Sequence, residues 1–227
     1  MFHNCAAARD RGHGNKIGIM EIERNTIVNI RAIIRTTATL IPLTVWPAFA
    51  QQSSTGAPAP VIEQRKDNQQ ERIANGVQGG QLTAGETKRL EAREAALNRE
   101  ESNMRAADNG HLTAADRATL NRQQNRLSNR IYDDKHDART AHYGNNEIGR
   151  RRENQQDRIA QGIRSGELTP GETARLERQQ QSINHEDASM RAASGGKLTG
   201  ADKAVLNQRQ NHASANIYAK KHNGRAR

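Results

Sequence analysis

Gly80-Gln-Leu82-Thr83-Ala-Gly-Glu86, Gly110-His-Leu112-Thr113-Ala-Ala-Asp116, Gly166-Glu-Leu168-Thr169-Pro-Gly-Glu172 and Gly196-Lys-Leu198-Thr199-Gly-Ala-Asp202 share one pattern. In each stretch the glycine is suited to end a helix, because it adopts a positive φ without strain. The threonine hydroxyl can cap the next helix, and the acidic residue three positions later can complete a capping box. The leucine is placed as a hydrophobic staple. The four stretches therefore predict joints between helices and an all-α fold.

The joints recur in pairs. Adding 86 to a residue number in the first copy gives its counterpart in the second, so that Ile73 corresponds to Ile159 and Leu90 to Leu176. The strings DNQQERIANG and ENQQDRIAQG, which open the two copies, are nearly the same. This internal repeat predicts two tandem modules of about three antiparallel helices each, at residues 64–143 and 144–227.

Within the first module, the helices are expected at about residues 64–77, from Thr83 onward, and from Thr113 to near His136. Leu90, Leu97 and Met104 are seven residues apart, which favours a narrow apolar seam over a broad buried face. From residue 51 onward the chain has only 23 Leu, Ile, Val and Met side chains. So few large apolar groups predict thin packing, with marginal stability or self-association as the consequence.

The N-terminal region is typical of a secretory signal. Within residues 20–50, three arginines precede an uncharged run at residues 36–47 and the tripeptide Ala48-Phe49-Ala50. We therefore expect residues 1–50 to be a signal peptide, with Met20 as the true start, followed by a flexible linker at residues 51–63. The alternative is an uncleaved anchor, but the apolar run is shorter than the ~20 residues of a membrane span. The predicted location is periplasmic or extracellular, with no span in the mature chain.

Residue content after the predicted cleavage site argues against catalysis. The only cysteine, Cys5, precedes that site, which excludes thiolate and disulfide chemistry from the mature chain. Residues 51–227 contain no phosphate-binding loop, no Gly-x-Ser-x-Gly motif and no zinc-protease helix. We therefore expect neither an enzyme nor a cofactor.

Two features of the sequence bear on metal binding. The joints match the second half of an EF-hand calcium loop, but the first and third positions of that loop carry no carboxylate; in the second joint they are Arg105 and Ala107. His136 and His222 are equivalent in the repeat and have no second histidine one helical turn away. The prediction is EF-hand-like joints without calcium ligands, solvated helix-end histidines and no metal site. An EF-hand-derived ion binder remains an alternative.

A candidate binding surface combines methionines with basic residues. Met104 and Met190 suit an adaptable apolar contact, and Arg122, Arg126 and Arg130 recur every four residues on the third helix. Such spacing can follow a polyanion. Nucleic acid is not expected as a partner, because stacking aromatic residues are absent from this stretch and acidic residues are interspersed with the basic ones.

The Leu-Thr-x-x-acid motifs at Leu82, Leu112, Leu168 and Leu198 resemble the Leu-Thr-x-x-Gln motifs of small periplasmic stress proteins of the Spy and CpxP type. This chain has Glu86, Asp116, Glu172 and Asp202 where that family has glutamine. The overall pattern also resembles secreted bacterial repeat proteins. The resemblance implies a helical, chaperone-like protein that binds unfolded or envelope proteins. A polyanion- or envelope-binding structural protein is the remaining alternative.

Overall fold

The computed structural model describes residues 59–225, and these residues form six α-helices without any β-strand. The signal peptide predicted for residues 1–50 and residues 51–58 of the predicted linker lie outside the described part of the chain. The all-α prediction is confirmed. The helices are α1 (Ala59–Gln78), α2 (Ala84–Ala107), α3 (Ala114–His136), α4 (Glu147–Ser165), α5 (Pro170–Ala193) and α6 (Gly200–Lys221).

The first helix begins five residues before its predicted start. Residues 59–63, expected to be linker, belong to α1. Proline is tolerated in the first turn of a helix, where its missing N–H has no intrahelical partner. Ile62 is fully buried, and its carbonyl accepts a hydrogen bond of 3.0 Å from Gln124 Nε2 on α3. This tertiary contact extends the helix beyond what the local pattern indicates.

All four joints have the geometry of a capping box. Each threonine hydroxyl accepts a hydrogen bond of 3.1 to 3.3 Å from the backbone N–H three residues later. The carboxylate of that later residue accepts a bond of 2.9 to 3.3 Å from the threonine N–H. The glycines before them have φ values of 66°, 88°, 75° and 88°. The N-termini of α2, α3, α5 and α6 are therefore set by local chemistry.

The leucines of two joints close the gap between helices. Leu82 packs over Gly76 so closely that a Cβ on that glycine would lie 2.7 Å from the leucine Cδ1, and Leu168 packs over Gly162 in the same way. Both leucines are buried, with at most 1% of their surface exposed. Leu112 is buried as well, whereas Leu198 is half-buried. A residue larger than glycine at position 76 or 162 would push the joint outward.

The most extensive helix pairing joins the two halves of the sequence rather than neighbours in the chain. It lies between α2 and α5, and α1 and α4 form the next largest pairing, whereas α1 contacts α2 only slightly. The described residues belong to one compact unit, and the main buried cluster has members from all six helices. Packing between the halves thus supplies the burial that the sparse apolar content of each half lacks.

The contacts between the halves are reciprocal. Gly85 lies beside Gln181, the residue 86 positions beyond Ala95. Conversely, Ala95 lines one groove together with Gly171, the residue 86 positions beyond Gly85. Positions that exchange roles in this manner lie about an approximate two-fold axis that passes between α2 and α5.

Glutamines and glutamates occupy buried positions between the helices of each half. Gln69 Nε2 donates a 2.7 Å hydrogen bond to the Gln124 carbonyl, and Gln70 Nε2 donates a 3.1 Å bond to Glu91 Oε2. The same bonds occur 86 residues later, from Gln155 to Gln210 and from Gln156 to Glu177. Buried amides keep their hydrogen-bond partners in only one register of the neighbouring helices. These bonds therefore fix the lengthwise position of each helix relative to its neighbours.

None of the helices within residues 59–225 has a stretch long and apolar enough to cross a lipid bilayer.

Candidate functional site

A segment without regular secondary structure, between α3 and α4, lies in a groove at the start of α2. Residues 140–143 contact this groove, which is lined by Thr83, Ala84, Arg152, Gln156 and Asn184 and is called the linker groove below. The Ala141 N–H donates a 2.8 Å hydrogen bond to the Gly80 carbonyl, and Arg152 Nη2 donates a 3.3 Å bond to the His142 carbonyl. The segment is thus held through its main chain, independently of most of its side chains.

Tyr143 provides the aromatic contact of this segment. The Arg152 guanidinium carbon lies 5.9 Å from the centre of the Tyr143 ring, within the range of a cation–π contact. Burial raises the pKa of the Tyr143 phenol well above its ordinary value, and the nearby Glu177 carboxylate raises it further. The phenol therefore stays neutral throughout the physiological pH range.

The two-fold arrangement places a second groove at the start of α5. It is lined by counterparts of the linker-groove residues, namely Lys66, Asn98, Thr169 and Pro170, together with Ala95, and is called the acidic groove below. The cavity of the acidic groove measures about 440 Å³, against about 130 Å³ beside the segment in the linker groove. The two grooves thus have equivalent lining residues but differ in the volume that side chains leave unfilled.

The two ends of the α2–α5 pair also differ in side-chain size. On one side of the axis, Lys88 Nζ donates a 2.6 Å hydrogen bond to Gln181 Oε1, and Gln181 Nε2 lies 3.2 Å from the place that a Cβ on Gly85 would take. On the other side the corresponding residues are Ala95 and Ala174. A Cβ placed on Gly171 would meet no described atom within 4 Å.

The acidic groove also differs in charge. Its lining residues Glu63 and Glu94 correspond in the repeat to the uncharged Gly149 and Gln180. Lys66 Nζ lies 2.8 Å from Glu101 and 2.9 Å from Glu63. Burial alone would lower the pKa of Lys66, but its hydrogen bonds to Glu101 and Glu63 raise that pKa above its ordinary value. The lysine therefore stays charged at the groove wall and is balanced by carboxylates on both sides.

The predicted methionine and arginine surface is only partly available. Leu90 and Leu97 of the seam are buried, and Met104 and Met190 are half-buried against the core clusters. The leucines of the seam are therefore not accessible to a partner, because they pack against the neighbouring helices. Met104 lies in the last turns of α2, and Met190 occupies the corresponding place on α5.

The three predicted arginines have different surroundings. Arg130 Nε lies 3.0 Å from Asp134 Oδ1, so its charge is balanced. Arg122 is exposed and bonds Thr119 on its own helix. Arg126 is exposed beside a shallow hollow between α2 and α3. The surface they form is therefore less basic than the sequence spacing indicates.

Three carboxylates converge near the start of α2. Oxygen atoms of Glu86, Asp134 and Asp137 lie within 4.8 Å of one another. Arg139 Nε lies 3.2 Å from Glu86, and Arg139 Nη2 lies 2.9 Å from Asp137. Arginine side chains thus already balance this cluster, and its members are not the loop positions of an EF-hand.

The paired histidines end their helices. His136 Nδ1 lies 2.7 Å from the Tyr132 carbonyl and its ring stacks on Tyr132, and His222 does the same with Tyr218. Both histidines are exposed. Their geometry is that of side chains that satisfy the last carbonyls of α3 and α6.

Sequence reasoning missed Tyr143, the linker segment and the buried glutamines. The glutamines left a signal, because Gln69 and Gln70 recur unchanged as Gln155 and Gln156 in strings otherwise rich in charge. Tyr143 had no such signal in the sequence, since its counterpart 86 residues earlier is Ala57.

No protein-family model matches the sequence, and neither a curated protein nor a solved structure is significantly similar to it. The resemblance to the Spy and CpxP type of protein therefore rests on the four joint motifs alone.

Proposed function

We propose that this chain is an exported, non-enzymatic helical protein with a chaperone-like role, which binds extended segments of unfolded or envelope proteins. The observation that carries the proposal is the linker groove, where residues 140–143 lie beside the start of α2 and are held by main-chain hydrogen bonds. That groove engages the main chain, which every unfolded polypeptide presents irrespective of its sequence, and one aromatic ring.

The contacts of the segment indicate how such binding would work. The bond from Ala141 to the Gly80 carbonyl and the bond from Arg152 to the His142 carbonyl use only backbone atoms of the bound strand. Main-chain bonds supply affinity in this mode, and a pocket for one side chain supplies selectivity. The net positive charge of the mature chain would keep a complex with an aggregation-prone client in solution.

An aggregation assay tests the role. The purified protein, at near-stoichiometric amounts and without nucleotide, should slow the aggregation of several denatured clients. High salt should weaken the effect in part, because it screens the charged contacts but not the apolar ones. Equal aggregation with and without the protein for every client would refute the chaperone-like role.

Export is tested separately. The N-terminus of the protein recovered from the cell envelope should begin at Gln51, since Ala48-Phe49-Ala50 fits the requirement of signal peptidase for small residues. Recovery of the intact chain from the cytoplasm alone would refute export without affecting the binding proposal.

A further inference from the structure

We propose that the linker groove is the surface that receives a client segment, and that residues 140–143 are an autoinhibitory strap that leaves the groove before the client enters. This inference rests on the proposed function and names the site and the regulation of that function. The client segment that fits carries an aromatic side chain, since the strap places Tyr143 in the groove.

The first argument is that bonds outside the strap hold the walls of the linker groove. Arg152 Nη1 lies 2.9 Å from Asp187 Oδ2 on α5. Gln156 Nε2 donates a 3.1 Å hydrogen bond to the buried Glu177 carboxylate, and Thr83 takes part in the capping box of α2. These bonds remain when the strap leaves, so the groove is a preformed site.

The second argument is that the strap leaves part of the hydrogen-bonding capacity of the groove unused. Arg152 and Asn184 both line the groove. Arg152 Nε and Asn184 Oδ1 are buried, and neither atom has a hydrogen-bond partner among the described residues. A buried donor or acceptor without a partner costs free energy. A client segment with a carbonyl for Arg152 Nε and an N–H for Asn184 Oδ1 therefore gains two bonds that the strap does not make.

The third argument is that the strap is held more weakly than the helices around it. It has no regular secondary structure, Thr140 and His142 are exposed, and Ala141 and Tyr143 are half-buried. Two hydrogen bonds join its main chain to the groove, from the Ala141 N–H to the Gly80 carbonyl and from Arg152 to the His142 carbonyl. Segments with few buried contacts open locally while the rest of the domain stays folded.

The fourth argument is that covalent attachment makes the strap a competitor. It belongs to the connection between the end of α3 at His136 and the start of α4 at Glu147. The strap therefore stays near the groove at a high effective concentration. The apparent affinity for a free segment is reduced to the fraction of molecules in which the groove is open. A weakly bound segment is thus excluded.

Gly149 marks the place where the strap passes α4. A Cβ on this glycine would collide with the Tyr143 and Gly144 carbonyl oxygens. Glycine within a helix costs stability relative to alanine, and the close passage of the strap backbone explains its presence here. A client segment that takes the position of the strap needs the same space. Gly149→Ala would therefore exclude either occupant.

The binding test uses the fluorescein-labelled peptide ARTAHYGN, which copies residues 138–145. The strap variant is Ala141→Pro/Tyr143→Ala, in which proline has no N–H for the Gly80 carbonyl and alanine has no ring for Arg152. The purified strap variant should bind the peptide saturably, with one site per chain. Its affinity should exceed that of the unaltered protein by about tenfold or more, because the competing strap is gone.

Two controls accompany the strap variant. Tyr132→Ala removes an exposed tyrosine of α3 and should bind the peptide as weakly as the unaltered protein does. The peptide ARTAHAGN, which lacks the ring, should bind the strap variant about tenfold more weakly than ARTAHYGN does. Circular dichroism verifies that each variant keeps its helices.

A further substitution locates the bound peptide. Gly149→Ala, added to the strap variant, should abolish peptide binding, because the new Cβ takes the space of the peptide backbone. Gly171→Ala makes the same change in the first turn of α5, where a Cβ would meet no described atom within 4 Å. Added to the strap variant, it should leave peptide binding unchanged.

The outcomes separate this inference from the proposed function. The inference is overturned if the unaltered protein and the strap variant bind the peptide equally, if neither binds it, or if Gly149→Ala and Gly171→Ala behave alike. It is also overturned if the unaltered protein slows client aggregation and the strap variant slows it no better. In all these cases the proposed function survives when the unaltered protein slows aggregation. If neither protein slows it for any client, the proposed function fails, whatever the peptide does.

Discussion

The two halves of the molecule, residues 59–136 and 147–221, repeat the same interior bonds and differ at their edges. In both halves a glutamine of the first helix donates to a buried glutamate of the second, at 3.1 Å in each case. A glutamine of the third helix donates to an isoleucine carbonyl at the start of the first, at 3.0 Å and at 2.9 Å. The grooves and the charges around the helix joints are not repeated.

The starts of α2 and α5 show this contrast most clearly. Glu86 and Glu172 complete identical capping boxes. Glu86 then faces Asp134, Asp137 and Arg139, whereas Glu172 accepts a 2.6 Å bond from Asn223 and lies 4.0 Å from Lys220. The capping box requires only the four residues from the threonine to the glutamate. The residues around the two glutamates can therefore differ, provided that the charge of each carboxylate is balanced.

Substitution of the joint leucines tests whether the two halves contribute equally to the free energy of unfolding. Leu82→Ala and Leu168→Ala should each lower the free energy of unfolding by about 2 to 5 kcal/mol, because each leaves a cavity beside a helix glycine. The two values should agree, since both leucines are buried and the Cδ1 of each lies 2.7 Å from the place that a Cβ on its glycine would take. Urea unfolding of both variants measures them. A large difference would show that one joint carries more of the stability.

The buried carboxyl of Glu177 should make stability depend on pH. Burial raises its pKa from 4.5 to about 8, although the hydrogen bond from Gln156 opposes this. A raised folded-state pKa means that the contribution of this group is fully present below about pH 4.5 and is lost as pH rises through about 8. Glu177→Gln should therefore gain stability at pH 8.5, by a few kcal/mol, and flatten the curve between pH 5 and 8.5.

Urea unfolding at pH 5.5 and at pH 8.5 compares this variant with the unaltered chain. Glu153→Gln serves as the matched control, because it removes a carboxylate from an exposed position of α4. If both variants respond to pH as the unaltered chain does, burial of Glu177 does not govern stability in this range.

The caps of α3 and α6 should contribute equally and modestly. Thr113→Ala and Thr199→Ala each remove a hydroxyl that accepts a 3.1 Å bond from the first turn. We expect a loss of about 0.5 to 2 kcal/mol in each case. Serine at either position should restore most of the stability, because its hydroxyl accepts the same bond. A serine variant as unstable as the alanine variant would contradict a capping role.

Calcium should have the smallest effect. The melting temperature should be the same in millimolar calcium and in excess chelator, because Arg130 and Arg139 already balance the carboxylates beside Glu86. A differential scanning measurement under both conditions checks this. A clear rise with calcium would support the ion-binding alternative and would mean that the ion displaces Arg139.

Much of the local structure could be predicted from the sequence. The Gly-x-Leu-Thr-x-x-acid pattern contains every group that the capping box uses, so the starts of α2, α3, α5 and α6 follow from residues within one turn. The third helix was also expected to end near His136, and α3 does end there. The start of α1 was placed too late, because the bond between the Ile62 carbonyl and Gln124 joins residues 62 positions apart.

The sequence by itself determined the helices, their caps and the scarcity of apolar side chains, since these depend on near neighbours and on composition. Only the tertiary structure decided that α2 pairs with α5, that buried glutamines and glutamates bond between helices, and that Tyr143 lies in one groove while the acidic groove is lined with carboxylates. Those features depend on contacts between residues as much as 21 to 93 positions apart, and a local pattern does not encode which surfaces will meet.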